Sequence, residues 1–567
     1  MKRLSLCLAS GTALRLASAT ALSVLVASAA WATPVDFQNP VSFQKSVSSL
    51  TEVPLKAAPA PDVEAARVED AVREANRVPG PYRFALKTAV DYRPGLDGQW
   101  SELDDGSKLW RLRITSPGAL SLILTMDRFE LAEGAKLWVY SPDGSDILGP
   151  YSRLDAQKGR LWTPILRGDV AVVELYEPAG TLGRSEVNIT QLSHGYRGFF
   201  DAEKQGSCNI DTICTEADGW RDQVRSIVMY TLSGIDRCSG VMINNTAQDG
   251  RPLLLTAEHC AFGGSTFPDM TVYFNYESPT CGALSGGVRD QSINGGTLLA
   301  IDEVSDFALL ELSSSPPAEF DVFYSGWDLS DDPMPNGVVA IHHPSVDEKA
   351  ISYENDQVIE SADNDFWPST HWKINDWDLG TTEGGSSGSP IFDQDNQLVV
   401  GTLSGGFAAC GNNEADWYGK MIEHANRGLL THIDPLGTGQ TTLDGINADG
   451  SSCVESPTVR CLNNNRFAVS ITWRDFEDNT GDGTIVEDSN DSSLWWFFSP
   501  SNWEALVKVL DGCGFNDRYW VFLAAVTNVE FTLTVTDTQT DITKTYTNTL
   551  GVSAPAVTDT DAFATCP

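Results

Sequence analysis

Ten of the eleven cysteines stand at positions 208, 214, 238, 260, 281, 410, 453, 461, 513 and 566, and residues 33 to 207 contain none. An even set of ten in an exported chain reads as a disulfide framework, although the pairing does not follow from counting. The cysteine-free stretch must be held by its core alone, so the asymmetry marks a domain boundary near residue 205. The eleventh cysteine, Cys7, lies in an N-terminal leader. That leader opens Met-Lys-Arg, continues as an Ala/Leu/Ser/Val run broken by Arg15, and ends in Ala30-Trp31-Ala32. We read residues 1–32 as a Sec-type signal peptide of a bacterial, extracellular protein. The uninterrupted apolar stretch is short against the ~20 residues a membrane span needs. No later segment is long enough either, so no membrane span is expected.

A chain of 567 residues has room for roughly three or four domains of about 150 residues each. Its 41% hydrophobic content and 16 tryptophans indicate packed cores. A formal net charge of −39 excludes a nucleic-acid partner, which requires clustered Lys and Arg. Residues 33–204 begin with a Pro/Ala-rich stretch and a helical pattern, VEAARVEDAVREANRV. Short alternating runs then follow (KLWRLRIT, AKLWVYSPDG, DVAVVELYEP), punctuated by Pro-Gly and Asp-Gly. This predicts a β-rich propeptide. Residues 205–448 are rich in strand-like runs, with helical periodicity only near 417–430, and predict a β-barrel or sandwich. GTGQTTLDGINADGSS reads as a linker, and residues 449–567 as a C-terminal β-rich accessory domain.

Residues 382–390, TEGGSSGSP, hold three serines, Ser386, Ser387 and Ser389. Alone they fit a flexible loop. Two other segments change the reading: LLLTAEHC, which places His259 after an apolar strand, and VSDFALLEL, which places Asp306 before one. Asp302 and Asp290 are alternatives for the acid but lack the following apolar run. A serine hydroxyl needs a base to take its proton and an acid to orient that base.

The three segments resemble the chymotrypsin-fold serine peptidases, with their TAxHC, Asp-before-ALL and GxSGxP motifs in this order. The resemblance implies a double β-barrel, Ser387 as nucleophile, His259 as base and Asp306 as its orienting acid. It also implies an oxyanion hole from the backbone N–H groups of Gly385 and Ser387. SCNIDTIC, MINNTAQDG, VAIHHP and ADWYGK extend the similarity, over about 205–448, to the secreted bacterial lysyl endopeptidases. That resemblance implies the pairings Cys208–Cys410, Cys214–Cys281 and Cys238–Cys260. It also puts Asp416 at the base of the primary pocket, where a substrate lysine would pair with it. Cys453–Cys461 and Cys513–Cys566 are the remaining expected pairs.

Ser404 stands where the family often carries an imidazole beside the catalytic histidine, and Trp367 matches the tryptophan that partners it. A weaker alkaline bias than the family's is therefore expected. Lys204, just before Gln205-Gly206-Ser207-Cys208, is the expected site of propeptide removal by the enzyme itself. No cofactor is expected, with calcium the alternative left open: the acidic run EDSNDS could bind it but lacks a complete calcium-loop signature. The expected partners are protein substrates and the chain's own propeptide, with the enzyme a monomer. Trypsin-like cleavage after both Lys and Arg is the nearest alternative activity. A catalytically silent binding or adhesion protein on a peptidase scaffold is the alternative from another class. Trp495 and Trp496 are more simply core residues than a glycan-binding surface.

Overall fold

The computed structural model describes residues 37–566 except 77–79, 198–204, 261–263, 363–364, 449–452, 454–455, 464–465, 539 and 541. The expected signal peptide and Lys204 fall outside the described residues. The chain is nearly all β.

In the N-terminal unit the alternation in KLWRLRIT and SLILTM produces two facing sheets. Lys108–Thr115 lies between Leu55–Ala57 and Val170–Glu177 in one; Ser121–Glu130 pairs with Glu186–Gly195 in the other. Trp110, Leu112 and Ile114 of the first meet Leu122, Leu124 and Met126 of the second in one buried core. The predicted helix is present as Val63–Ala75, with the Asp62 carboxylate accepting from the Ala65 N–H at 3.0 Å to cap its first turn. Tyr82–Arg83 leaves this unit to pair with a strand of the next.

That next unit opens with a six-stranded barrel in the order Ile227–Leu232, Thr266–Tyr273, Ser292–Asp302, Phe307–Leu312, Leu253–Thr256 and Asp236–Met242. It closes by pairing the last strand with the first. A second sheet runs from Ile210–Asp211 through Ala350–Glu354, Val338–His342, Pro390–Asp393, Val399–Gly406, Asp416–Lys420 and His371–Ile374 to Ile359–Glu360. Its two ends do not pair, so it is a half-barrel beside the closed one. Leu253, Leu255, Phe307 and Leu309 of the barrel share a core with Trp327, Val339, Ile341 and Phe392 of the half-barrel. The groove between the two is therefore fixed on both sides by strands.

Two local expectations change. The helical pattern placed near 417–430 begins only at Met421, because Asp416–Lys420 is fully buried as a strand between Val399–Gly406 and His371–Ile374. The stretch read as a linker is partly docked: Thr442–Leu443 pairs with Trp327–Asp328, and Ile446–Asn447 with Phe323–Tyr324. Leu443 and Ile446, both buried, are the apolar anchors that outweigh the surrounding polar composition.

The C-terminal unit is a sandwich of two five-stranded sheets. Trp495 is fully buried in its core with Val507, Val521 and Leu533. Arg466 forks onto Asp537 (Nε at 3.0 Å, Nη2 at 2.8 Å) and donates to the Tyr519 hydroxyl at 3.0 Å, all buried. Arg466→Met is expected to destabilise this unit by about 3–5 kcal/mol, because Asp537 keeps its charge and loses its guanidinium. A lowered denaturant midpoint of the unit's unfolding transition checks this; an unchanged midpoint contradicts it.

Candidate active site

The groove contains a cleft of about 620 Å³ lined by His259, Gly385, Ser387, Leu403, Ser404, Gly405 and Gly406, among others. His259 follows the barrel strand Leu253–Thr256, whose register with Phe307–Leu312 brings it to Asp306 at the start of that neighbouring strand. Asp306 sits at φ 56°, buried, and accepts from both the His259 backbone N–H (3.0 Å) and the ring Nδ1 (2.9 Å). This double grip fixes the ring with Nδ1 to the carboxylate and Nε2 to the cleft. Nε2 has no hydrogen-bond partner among the described residues. Neither Asp302 nor Asp290 makes a hydrogen bond to His259; Asp302 instead caps the turn to Ser305.

Burial works against the charge on His259, yet the Asp306 carboxylate outweighs it, so the imidazole pKa lies above its ordinary value. Burial likewise opposes ionisation of Asp306, and the histidine and the hydrogen bonds overcome it, leaving that carboxyl below its usual range. Cys238–Cys260 ties the His259 turn to the adjacent strand. The other four disulfides are Cys208–Cys410, Cys214–Cys281, Cys453–Cys461 and Cys513–Cys566.

The three serines of TEGGSSGSP separate by environment. Ser386 and Ser389 are fully buried, and the Ser386 hydroxyl bonds the His342 ring at 2.8 Å. Ser387 alone lines the cleft. The strand Asp236–Met242 braces the segment from behind: Ser239 donates its backbone N–H to the Ser387 carbonyl (2.9 Å) and its hydroxyl to the Gly385 carbonyl (2.9 Å). Gly385 has φ 96°, which favours glycine. The N–H groups of Gly385 and Ser387 meet no acceptor among the described residues. Both residues line the cleft.

Asp416 lies directly opposite Gly406 in the sheet, and a Cβ at Gly406 would fall 1.7 Å from its Oδ1, so only glycine leaves the carboxylate room. It accepts from Trp377 Nε1 (2.8 Å) and Thr382 Oγ1 (2.6 Å), and burial pushes its pKa up to about 6 against those bonds. Thr382, Gly406 and Ala408 line the cleft in front of it. Trp367 also lines the cleft, its indole lying over Gly405, where a Cβ would meet it at 2.8 Å.

Sequence reasoning missed three supports. Trp377 and Thr382 hold Asp416, and His371 holds Ser404 through Nε2 at 2.9 Å while Ser404 helps keep Asp306 ionised. Only Thr382 carries a signal, its place at the head of the serine motif.

The family description "Lysyl endopeptidase N-terminal domain" matches residues 59–196, and "Lysyl endopeptidase, C-terminal domain" matches residues 202–419. A curated lysyl endopeptidase of Pseudomonas aeruginosa is 30% identical over 357 residues, which cover 58% of this chain and 75% of that protein. The chain belongs to the lysyl endopeptidase family. It is a serine endopeptidase acting on protein substrates, and its five disulfides suit an oxidising, extracellular setting.

Two solved structures overlay on the enzyme at a TM-score of 0.27. An inactive mutant of Rv3671c from M. tuberculosis H37Rv is 16% identical and covers 40% of this chain and 95% of its own. Kallikrein-related peptidase 10 is 12% identical and covers 37% and 96%. The fold of the enzyme rests on its own sheet topology, not on these overlays. No helix among the described residues is long and apolar enough to cross a membrane.

Proposed function

We propose that the enzyme hydrolyses peptide bonds on the carboxyl side of lysine through Ser387, His259 and Asp306. The observation that carries the lysine preference is Asp416, a buried carboxylate behind the cleft wall formed by Thr382, Gly406 and Ala408. Left alone there it is costly; a substrate ammonium entering between these residues offsets that cost.

In the reaction, Ser387 Oγ attacks the carbonyl carbon as its proton passes to His259 Nε2. Asp306 keeps the ring in the tautomer with a free Nε2 and stabilises the imidazolium. The carbonyl oxygen becomes an oxyanion held by the N–H groups of Gly385 and Ser387; one such donor is worth roughly 3 to 4 kcal/mol in comparable enzymes. The amine leaves with the proton from His259. Water, activated by the same nitrogen, then releases the acyl group and restores Ser387.

The test is digestion of a denatured protein mixture by the processed enzyme, with mass spectrometry reading the residue before each cut. Cuts almost only after Lys support the reading. Cuts after Lys and Arg alike keep the mechanism and remove the lysine preference. No cutting, with no labelling of Ser387 by a fluorophosphonate, returns the chain to a silent binding protein. Removal of residues 33–204 by a cut after Lys204 is part of the same proposal, and N-terminal sequencing of the secreted protein at Gln205 checks it.

The pH dependence has two limbs of known sign. His259 must be neutral to act as base, so kcat/KM is expected to rise as pH climbs through its raised pKa. Asp416 must be ionised to hold the ammonium, so KM for lysyl substrates is expected to rise as pH falls through about 6. A KM that stays flat between pH 7 and pH 5 contradicts the second. With Ser404 in place of an imidazole, the optimum is expected to stay at or below about pH 9; an optimum well above it contradicts that reading.

A further inference from the structure

The cleft that holds His259 and Ser387 is also lined by Gly80, Pro81, Tyr82 and Arg83 of the N-terminal unit. Tyr82–Arg83 pairs antiparallel with Asp236–Arg237, and the Phe84 N–H extends the contact to the Ile235 carbonyl at 2.8 Å. Two residues beyond Arg237 on the same strand stands Ser239, which braces the Ser387 segment. The Tyr82 ring lies against Gly384, where a Cβ would come within 3.1 Å of it. A chain paired at Arg237 thus occupies the half of the cleft on the barrel side of Ser387, away from the Asp416 wall.

A substrate bound with its lysine at Asp416 runs past Ser387 toward that same half. At about 3.3 Å per residue in extended form, its first three residues after the cut reach this strand. Arg237 is completely buried there, its guanidinium 4.2 Å from the Phe84 ring centroid and 5.6 Å from that of Tyr82. Both rings belong to the N-terminal unit, and when that unit departs this face of the guanidinium opens to the cleft. The two rings now over the guanidinium show that an aromatic face fits this place.

We propose that Arg237 is a specificity residue of the processed enzyme, selecting an aromatic side chain within the first three residues after the cut. The inference rests on the reading of function above. It takes Tyr82 and Phe84 as stand-ins for the side chain that a good substrate places there.

The test uses enzyme processed from the full chain and internally quenched peptides with one lysine followed by three randomised positions. Phe, Tyr or Trp is expected to be enriched about three- to tenfold over Ala at one of the three. Arg237→Met is expected to bring that ratio below about two, and Arg237→Lys to retain part of it. A flat wild-type profile, or enrichment of Asp and Glu, overturns the inference. If Arg237→Met does not fold, the wild-type profile and Arg237→Lys still decide. Cutting with a flat profile sinks this inference alone; failure to cut any lysyl peptide sinks the reading of function with it.

Discussion

Ser387→Ala is expected to lower kcat on a lysyl peptide by about six orders of magnitude, with the protein still folded. Of the motif's three serines only Ser387 lines the cleft, since Ser386 and Ser389 are enclosed. Neither neighbour can stand in for it. Because the serine and the histidine act as one unit, Ser387→Ala combined with His259→Ala is expected to be scarcely worse than either alone. Under the proposed self-cleavage after Lys204 the variant stays unprocessed, so it is cut in trans by a trace of wild-type enzyme before assay. A processed variant keeping more than about one per cent of wild-type kcat would falsify the assignment.

Asp416→Asn is expected to reduce kcat/KM for lysyl substrates by about 10³- to 10⁴-fold. The amide removes the only charge that Trp377 and Thr382 are arranged to hold. Its oxygen can still accept from both, since they share Oδ2, but its N–H₂ then faces the Ala408 N–H and a lysine ammonium is left without a counter-charge in a buried site. Labelling of Ser387 by a fluorophosphonate is expected to persist, since Asp416 makes no contact with His259 or Ser387. Lysyl kcat/KM within tenfold of wild type, with labelling intact, would show that the carboxylate holds the wall rather than the substrate.

Much of this was legible because local chemistry and chain order speak together. Alternating runs such as KLWRLRIT became strands with one face in a core. Of the three serines, the expected nucleophile Ser387 is the one that lines the cleft. What stayed hidden depends on register between distant strands. Nothing local to Trp377 says that its indole reaches Asp416, thirty-nine residues on. The bond between His371 and Ser404 also exists only once Val399–Gly406 and His371–Ile374 share a sheet. Leu443 and Ile446 misled in the opposite sense, since two apolar residues in a polar stretch suffice to dock it. Arg237 gave no signal, because its aromatic partners come from a different unit.

The absence of cysteine from residues 33–207 has a consequence for timing. Cys208 is bridged to Cys410, so any scission ahead of it leaves the peptidase stapled but the preceding unit with no covalent tie. From that moment the two pieces obey mass action. Their separation follows dilution and the lifetime of their non-covalent contacts, which include the ladder at Arg237, the buried cluster of Phe84, Ile123 and Ile165 with Met229, Tyr273 and Tyr276, and the Ile165 N–H bond to the Tyr273 hydroxyl. After such a cut the two pieces are expected to stay together in a concentrated sample and to part on dilution, which size-exclusion chromatography at two concentrations checks.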